Sequence, residues 1–74
     1  MAKLSRVTAK QIIAVLEKLG FAYTRQSGSH AIYKNAAGLR ATVPVHGAAI
    51  LHPKIVKTVL KDAGISADRL RELL

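Results

Sequence analysis

One histidine lies between two cations in the segment RQSGSHAIYKN, directly after a short polar turn. The histidine is His30, the turn consists of Ser27, Gly28 and Ser29, and the cations are Arg25 and Lys34. Positive neighbours disfavour the protonated form of an imidazole, and a neutral imidazole is a general base. Gly28 places no side chain beside the ring, which would let another backbone approach closely. His30 is therefore the candidate catalytic residue; the alternative is a polar residue that only begins a strand.

The charge balance is strongly positive. Twelve Lys and Arg residues face four Asp and Glu residues, which gives a net charge of +8. Such a surplus favours a polyanionic partner, and nucleic acid ahead of a membrane surface. The candidate phosphate-binding residues are Arg25, Gly28, Ser29, Lys34, Lys54 and Lys57.

The lysines of the segment PKIVKTVLK allow two interpretations. Lys54, Lys57 and Lys61 are spaced so that they share one face of a helix. Lys54 falls in the first turn, where a positive side chain opposes the helix dipole unless an anion binds there. The three lysines form either a phosphate-binding face or the solvated face that any amphipathic helix carries.

The other residues that could do chemistry indicate no cofactor. Cysteine is absent, and His30, His46 and His52 lack the spacing of zinc ligands. We therefore expect neither a metal ion nor another cofactor. His46 is interpreted as a loop residue, and His52, which precedes Pro53, as the N-cap of a helix.

The length of 74 residues corresponds to one domain, taken here as residues 1–74. The segment MAKLSRV lacks the apolar stretch of a signal peptide, and no apolar run approaches the roughly 20 residues that cross a bilayer. The expected location is the cytoplasm, with no membrane partner.

The first predicted element is a helix from about Ala9 to Leu19. Thr8 and Gln11 have the spacing of a capping box, and Val7 and Ile12 have that of a hydrophobic staple. Three strands follow, at Phe21–Gln26, His30–Lys34 and Leu39–Val45, with Asn35–Gly38 as a hairpin loop. In the third strand the alternation assigns Leu39, Ala41, Val43 and Val45 to one face and Arg40 and Thr42 to the other.

Two points about the strands stay open. Pro44 cannot donate to a ladder, so the third strand is an edge strand or ends there. In the second strand, either the set His30, Ile32 and Lys34 or the set Ala31 and Tyr33 faces the core.

Two further helices complete the chain. Pro53 begins the first of them, Gly64 ends it, and Ser66 caps a short last helix. The predicted fold class is α+β, in the order α-β-β-β-α with a short C-terminal helix. A three-stranded antiparallel sheet carries both long helices on one face.

Three segments together resemble the HicA family of small toxins: LEKLGFAYTRQSGSHAIYKN, VPVHG and IVKTVLKDAGIS. The resemblance extends from about Thr8 to Ser66. It implies a fold like that of double-stranded-RNA-binding domains and an endoribonuclease, an mRNA interferase, that cuts mRNA without a metal. It also implies an antitoxin partner of the HicB type that masks the site. The active histidine of the family follows Gly-Ser in the second strand, which corresponds to His30, and the glycine of the same turn is Gly28.

One stretch departs from the family pattern. Where such proteins usually have a polar loop, this chain has AAILH, Ala48 to His52. We expect this more apolar connection to pack beneath the sheet or to contact the antitoxin or a second copy.

Two other functions remain possible from the residues alone. The first is a non-catalytic RNA-binding module that recognises a duplex by its shape. The second is a small DNA-binding regulator, because the last two helices resemble a helix-turn-helix; however, the apolar residues Leu70, Leu73 and Leu74 make the last helix a poor reader of DNA.

Overall fold

The computed structural model of the protein describes residues 6–45 and 49–74. Its first helix, α1, spans Ala9–Lys18, one residue shorter than predicted. The capping box is present: the Thr8 hydroxyl accepts a hydrogen bond from Gln11 N at 3.2 Å, and Thr8 N donates to Gln11 Oε1 at 2.9 Å. Val7 and Ile12 are fully buried, as the staple requires. Local side-chain chemistry therefore fixes the start of this helix.

Three strands follow α1 and form one antiparallel sheet. They are β1 (Ala22–Ser27), β2 (His30–Lys34) and β3 (Arg40–Pro44), in the spatial order β1-β2-β3. The predicted hairpin loop between β2 and β3 is closed by a hydrogen bond from Gly38 N to Asn35 O at 3.1 Å. β3 is an edge strand and also ends at Pro44, so both expectations for that proline are confirmed.

The core takes side chains from one face of the sheet. Ala31 and Tyr33 of β2 lie opposite Val43 and Ala41 of β3, and all four belong to the buried apolar cluster. The helices supply the rest of that cluster, with Ile12, Val15 and Leu16, then Val56, Val59, Leu60 and Ala63, and finally Leu70. The inward set of β2 is therefore Ala31 and Tyr33, which settles the choice that the sequence left open.

Two helices complete the α+β order that was predicted. α2 spans Pro53–Ala63 and lies against β3, and α3 spans Ala67–Leu73. Gly64 ends α2 with a φ of 74°, and the Ser66 hydroxyl caps α3 by accepting a hydrogen bond from Arg69 N at 3.1 Å. Among the described helices, none is both long and apolar enough to cross a membrane.

Two apolar segments differ in detail from the expectation. Leu39 precedes β3 and is exposed, because it lies in the hairpin loop and not on the core face of the strand. In the connection from Ala48 to His52, of which residues 49–52 are described, Leu51 enters the core and Ile50 stays exposed. Leu51 N donates to Val7 O at 2.8 Å, which ties this connection to the chain before α1.

The burial and ion pairs of the last helix bear on the DNA-binding alternative. Leu70 is 0% exposed because α3 packs into the core. The two arginines of α3 pair with acidic residues of the same helix, Arg69 with Glu72 at 3.1 Å and Arg71 with Asp68. A recognition helix needs free side chains that face the major groove, so this arrangement disfavours the DNA-binding alternative.

We predict that ionisation of Tyr33 destabilises the fold at alkaline pH. Burial raises the pKa of the Tyr33 hydroxyl above its ordinary value of 10.0, with further contributions from Glu17 and Tyr23. A raised pKa means that the folded chain holds the proton more tightly than the unfolded chain. The resulting stability is fully present below about pH 10 and is lost as the pH rises through the folded-state pKa.

Urea denaturation of Tyr33→Phe, measured at neutral pH and again at about pH 11, tests this prediction. The variant should lose less free energy of unfolding between the two conditions than the parent does. Tyr23→Phe, which changes the exposed ring that contacts Tyr33 edge-on, should keep most of the parental loss. Equal losses in the parent and in Tyr33→Phe would contradict it.

Candidate functional site

His30 is the first residue of β2, and its side chain is exposed. It pairs with Ser27 of β1 and with Pro44 of β3, so the central strand holds it from both sides. The loop between β1 and β2 consists only of Gly28 and Ser29. A two-residue loop fixes the register of a hairpin, and the position of the imidazole is therefore determined by backbone pairing.

Gly28 is required by its backbone conformation. Its φ is 58°, a left-handed value, and it is the first central residue of the turn, as in type II′ hairpins. Within the described chain no backbone approaches Gly28, since a Cβ at this position would meet nothing within 4 Å. The glycine therefore serves the turn that places His30.

An open groove of about 380 Å³ lies between the β3 side of the sheet and α2. Its lining residues are His30, Thr42 and Pro44 from the sheet, and Lys54, Ile55, Thr58 and Val59 from α2. The groove thus brings together two of the predicted site residues, the imidazole of His30 and the ammonium of Lys54. They come from elements separated by the whole of β3 in the sequence.

The N-terminus of α2 positions Lys54. His52 caps the helix through its Nδ1 atom, which accepts a hydrogen bond from Lys54 N at 3.1 Å, so the structural role predicted for His52 is confirmed. One turn later, the Thr58 hydroxyl donates to Lys54 O at 3.0 Å. The first turn of α2 contains no acidic residue. This turn is the positive end of the helix dipole, which favours a bound anion.

The sheet has a second face, which we call the outer face. It carries His30, Ile32 and Lys34 of β2 with their direct partners in β3 (Arg40, Thr42 and Pro44), and Arg25 of β1, the partner of Ile32. Arg25, Lys34 and Arg40 are exposed, whereas all four carboxylates of the chain lie on helices. The imidazole therefore shares its face with three cations and with no acidic side chain.

Ile32 makes the centre of the outer face apolar. It is 7% exposed although it does not belong to the core cluster. Arg25 and Thr42 lie directly beside it on the neighbouring strands, and His30 and Lys34 lie two residues away along β2. The outer face therefore has an apolar centre, Ile32, flanked by the exposed cations Arg25 and Lys34.

The other predicted site residues lie outside the groove lining. Arg25 and Lys34 share the outer face but do not line the groove, and Lys57 is exposed on α2, also outside its lining. The backbone of Ser29 ties the β1–β2 turn to the end of β3, since its carbonyl accepts a hydrogen bond from Val45 N at 2.6 Å. His46 lies outside the described residues.

The sequence-based prediction missed Thr42, Thr58 and Arg40. Arg40 and Thr42 had been assigned to the face away from the core, but the strand register that sets them beside His30 was not known. Thr58 could be found only from the packing of α2 on β3, for which the sequence carries no local signal. In the described ranges, no group of three or more His, Asp or Glu side chains converges as metal ligands do.

The fold and the exposed histidine of the hairpin define a small basic α+β domain with a surface groove. A family model described as HicA toxin of bacterial toxin-antitoxin matches residues 9–65. The match covers well over half of the chain, and the protein belongs to the HicA toxin family. A search of curated proteins found no match.

We predict that Gly28→Ala destabilises the protein by about 1–3 kcal/mol, the cost of holding a residue with a Cβ at a positive φ. Gly28→Asn should cost less, because asparagine is among the residues that primed hairpin turns accept at a positive φ. Chemical denaturation of both variants measures the difference. Unchanged stability in the alanine variant would show that the turn does not depend on its positive φ.

Proposed function

We propose that this toxin-family chain is an endoribonuclease that cleaves mRNA without a metal ion, with His30 as the general base. The observation that carries the proposal is the shared groove, in which an exposed imidazole and the Lys54 ammonium line the same open surface. When a neighbouring hydroxyl attacks a phosphodiester, a base must accept its proton and a cation must stabilise the growing negative charge. Both groups lie on this one surface.

In the proposed reaction, His30 accepts the proton of a ribose 2′-hydroxyl. The 2′ oxygen then forms a bond to the adjacent phosphorus, and the bond between phosphorus and the 5′ oxygen breaks. The products are a 2′,3′-cyclic phosphate and a 5′-hydroxyl whose proton comes from water, while His30 releases its proton to the solvent. DNA lacks the 2′-hydroxyl and is spared.

Lys54 is proposed to stabilise the negative charge that grows on the phosphate oxygens during attack. It lines the groove with His30 and belongs to the first turn of α2, where the helix dipole also favours an anion. Ser29 and the Gly28 backbone lie next to the histidine and supply donors for the same phosphate. Arg25, Lys34 and Lys57 bind neighbouring phosphates of the chain.

The family assignment implies an antitoxin partner. We propose a HicB-type antitoxin that binds over the groove and thereby keeps RNA away from His30. Acidic side chains on such a partner would match the cations of the outer face. Ile50, exposed in the connection before α2, offers an apolar contact for the same partner.

We predict that His30→Ala lowers the rate of RNA cleavage by about 10²–10⁴-fold, the usual contribution of one general base. The assay uses a defined transcript, the purified chain without its antitoxin, and a chelator in place of divalent ions. Analysis of the product ends should find the cyclic phosphate with the parent protein.

The matched control is His52→Asn, which also removes an imidazole but keeps a good N-cap residue for α2. It should cleave at the parental rate, and both variants should show the parental circular dichroism. If His30→Ala cleaves as fast as the parent, the histidine is not the base. RNA that is bound but stays intact with the parent would favour the non-catalytic RNA-binding module.

We predict different effects for two lysines of α2. Lys54→Ala should lower both RNA affinity and the cleavage rate, because Lys54 lines the groove. Lys57→Ala should lower affinity alone. Each substitution should reduce the slope of log affinity against log salt by about 1, as the loss of one phosphate contact does.

Lys10→Ala is the control for these lysines, since it removes the same charge from an exposed position on α1. Its salt slope should stay close to that of the parent. Indistinguishable cleavage rates for Lys54→Ala and Lys57→Ala would show that Lys54 does not take part in the cleavage step.

A further inference from the structure

We propose that the groove beside His30 is a subsite for the base and sugar of one unpaired nucleotide, so that the protein acts on single-stranded segments of RNA. This inference rests on the proposed function and adds the part of the substrate that the groove holds. It is opposite to the expectation that a fold of the double-stranded-RNA-binding kind suggests, in which a duplex is recognised by shape.

The size of the groove fits one nucleotide. Its volume of about 380 Å³ is at the small end of the range of about 300–1,000 Å³ that is typical of sites for small ligands. In a duplex, bases are stacked and paired inside the helix and present only their edges and backbone. Only a base that has left the stack can enter a groove of this kind.

The lining suits the flat face of a base. Ile55 supplies half-buried apolar surface, the buried Pro44 and Val59 form the apolar lining beneath it, and two hydroxyl groups, those of Thr42 and Thr58, accompany them. The Thr58 hydroxyl already donates to Lys54 O and retains its capacity to accept. An apolar surface with a few polar groups is the usual composition of a site that binds one planar ligand.

The charges identify the ligand as part of a polyanion. Lys54 lines the groove, and Arg40 is exposed on the outer face, two residues from Thr42 along β3. Cations at and beside an apolar groove match a base whose two flanking phosphates stay at the surface. A purely apolar partner would leave these charges without a counterpart.

The proposed chemistry requires the same arrangement. In-line displacement needs the attacking 2′ oxygen, the phosphorus and the leaving 5′ oxygen to lie roughly in a row. The regular stacking of a duplex restrains the backbone away from this geometry, whereas a nucleotide turned out of the stack adopts it freely. A base held between β3 and α2 places its own ribose next to His30, which lines the same groove.

Binding of 2′-O-methyl oligonucleotides to the wild-type chain tests the inference separately from cleavage, because these RNAs cannot undergo attack by the 2′ oxygen. The probes are one mixed-sequence single strand and the same strand annealed to its complement. We expect the single strand to bind at least about fivefold more tightly at physiological salt, the low end of the effect that contacts with one base typically give.

A variant that obstructs the groove provides the second measurement. Thr58 is exposed on α2, so Thr58→Phe should fold and put a ring into the groove. It should lower single-strand affinity about tenfold and leave duplex affinity unchanged. The matched control is Thr24→Phe, the same change at an exposed threonine of β1 outside the groove lining, which should bind both probes as the parent does.

The base subsite would be overturned if the parent bound both probes with equal affinity, or if Thr58→Phe weakened both equally. If the parent still cleaved a transcript in that case, the nuclease proposal would stand. Preference for the single strand without cleavage of any unmodified transcript would support the subsite and overturn the nuclease. If Thr58→Phe keeps RNA affinity but loses the antitoxin, the groove holds a protein side chain and the inference is wrong.

Discussion

The packing of α2 against β3 is the constraint on which the site depends. Val56, Val59 and Leu60 are buried in the same cluster as Ala41 and Val43 of β3. Val59 also lines the groove, so one side chain belongs both to the core and to the site. A shift of α2 along β3 would therefore move Lys54 away from His30 and disturb the core at once. The site is held in place by the same contacts that stabilise the fold.

Charge is distributed unevenly between the two layers of the molecule. The carboxylates lie on the helices, and two of them pair with Arg69 and Arg71 on α3, while the outer face carries cations without acidic neighbours. Like charges on one face repel each other, and this repulsion acts against folding. Exposure to water and salt keeps the repulsion small, and a bound polyanion removes it. Under the proposed function, this surface binds RNA at some expense of stability.

The sequence predicts the elements of this fold well because their signals are local. The capping box at Thr8, the N-cap at His52 and the αL glycine at Gly64 each act within a few residues, and all are present in the structure. The groove is harder to predict, since Thr42 and Thr58 meet only after β3 and α2 have packed. The role of Gly28 shows the same limit: the residue type indicated a special position, but only its φ distinguishes a turn requirement from a steric one.

Exposure of His30 links the proposed activity to its control. A buried general base would need a movement to reach RNA, whereas this imidazole is open to any polynucleotide that binds the outer face. No acidic side chain lies on the sheet, and among the described residues the groove around it offers a cation and hydroxyl groups. Such a site owes its rate to positioning and electrostatics. Under the proposed function, one partner covering one groove would be enough to stop the reaction, because His30, Lys54 and the proposed nucleotide subsite share the same opening.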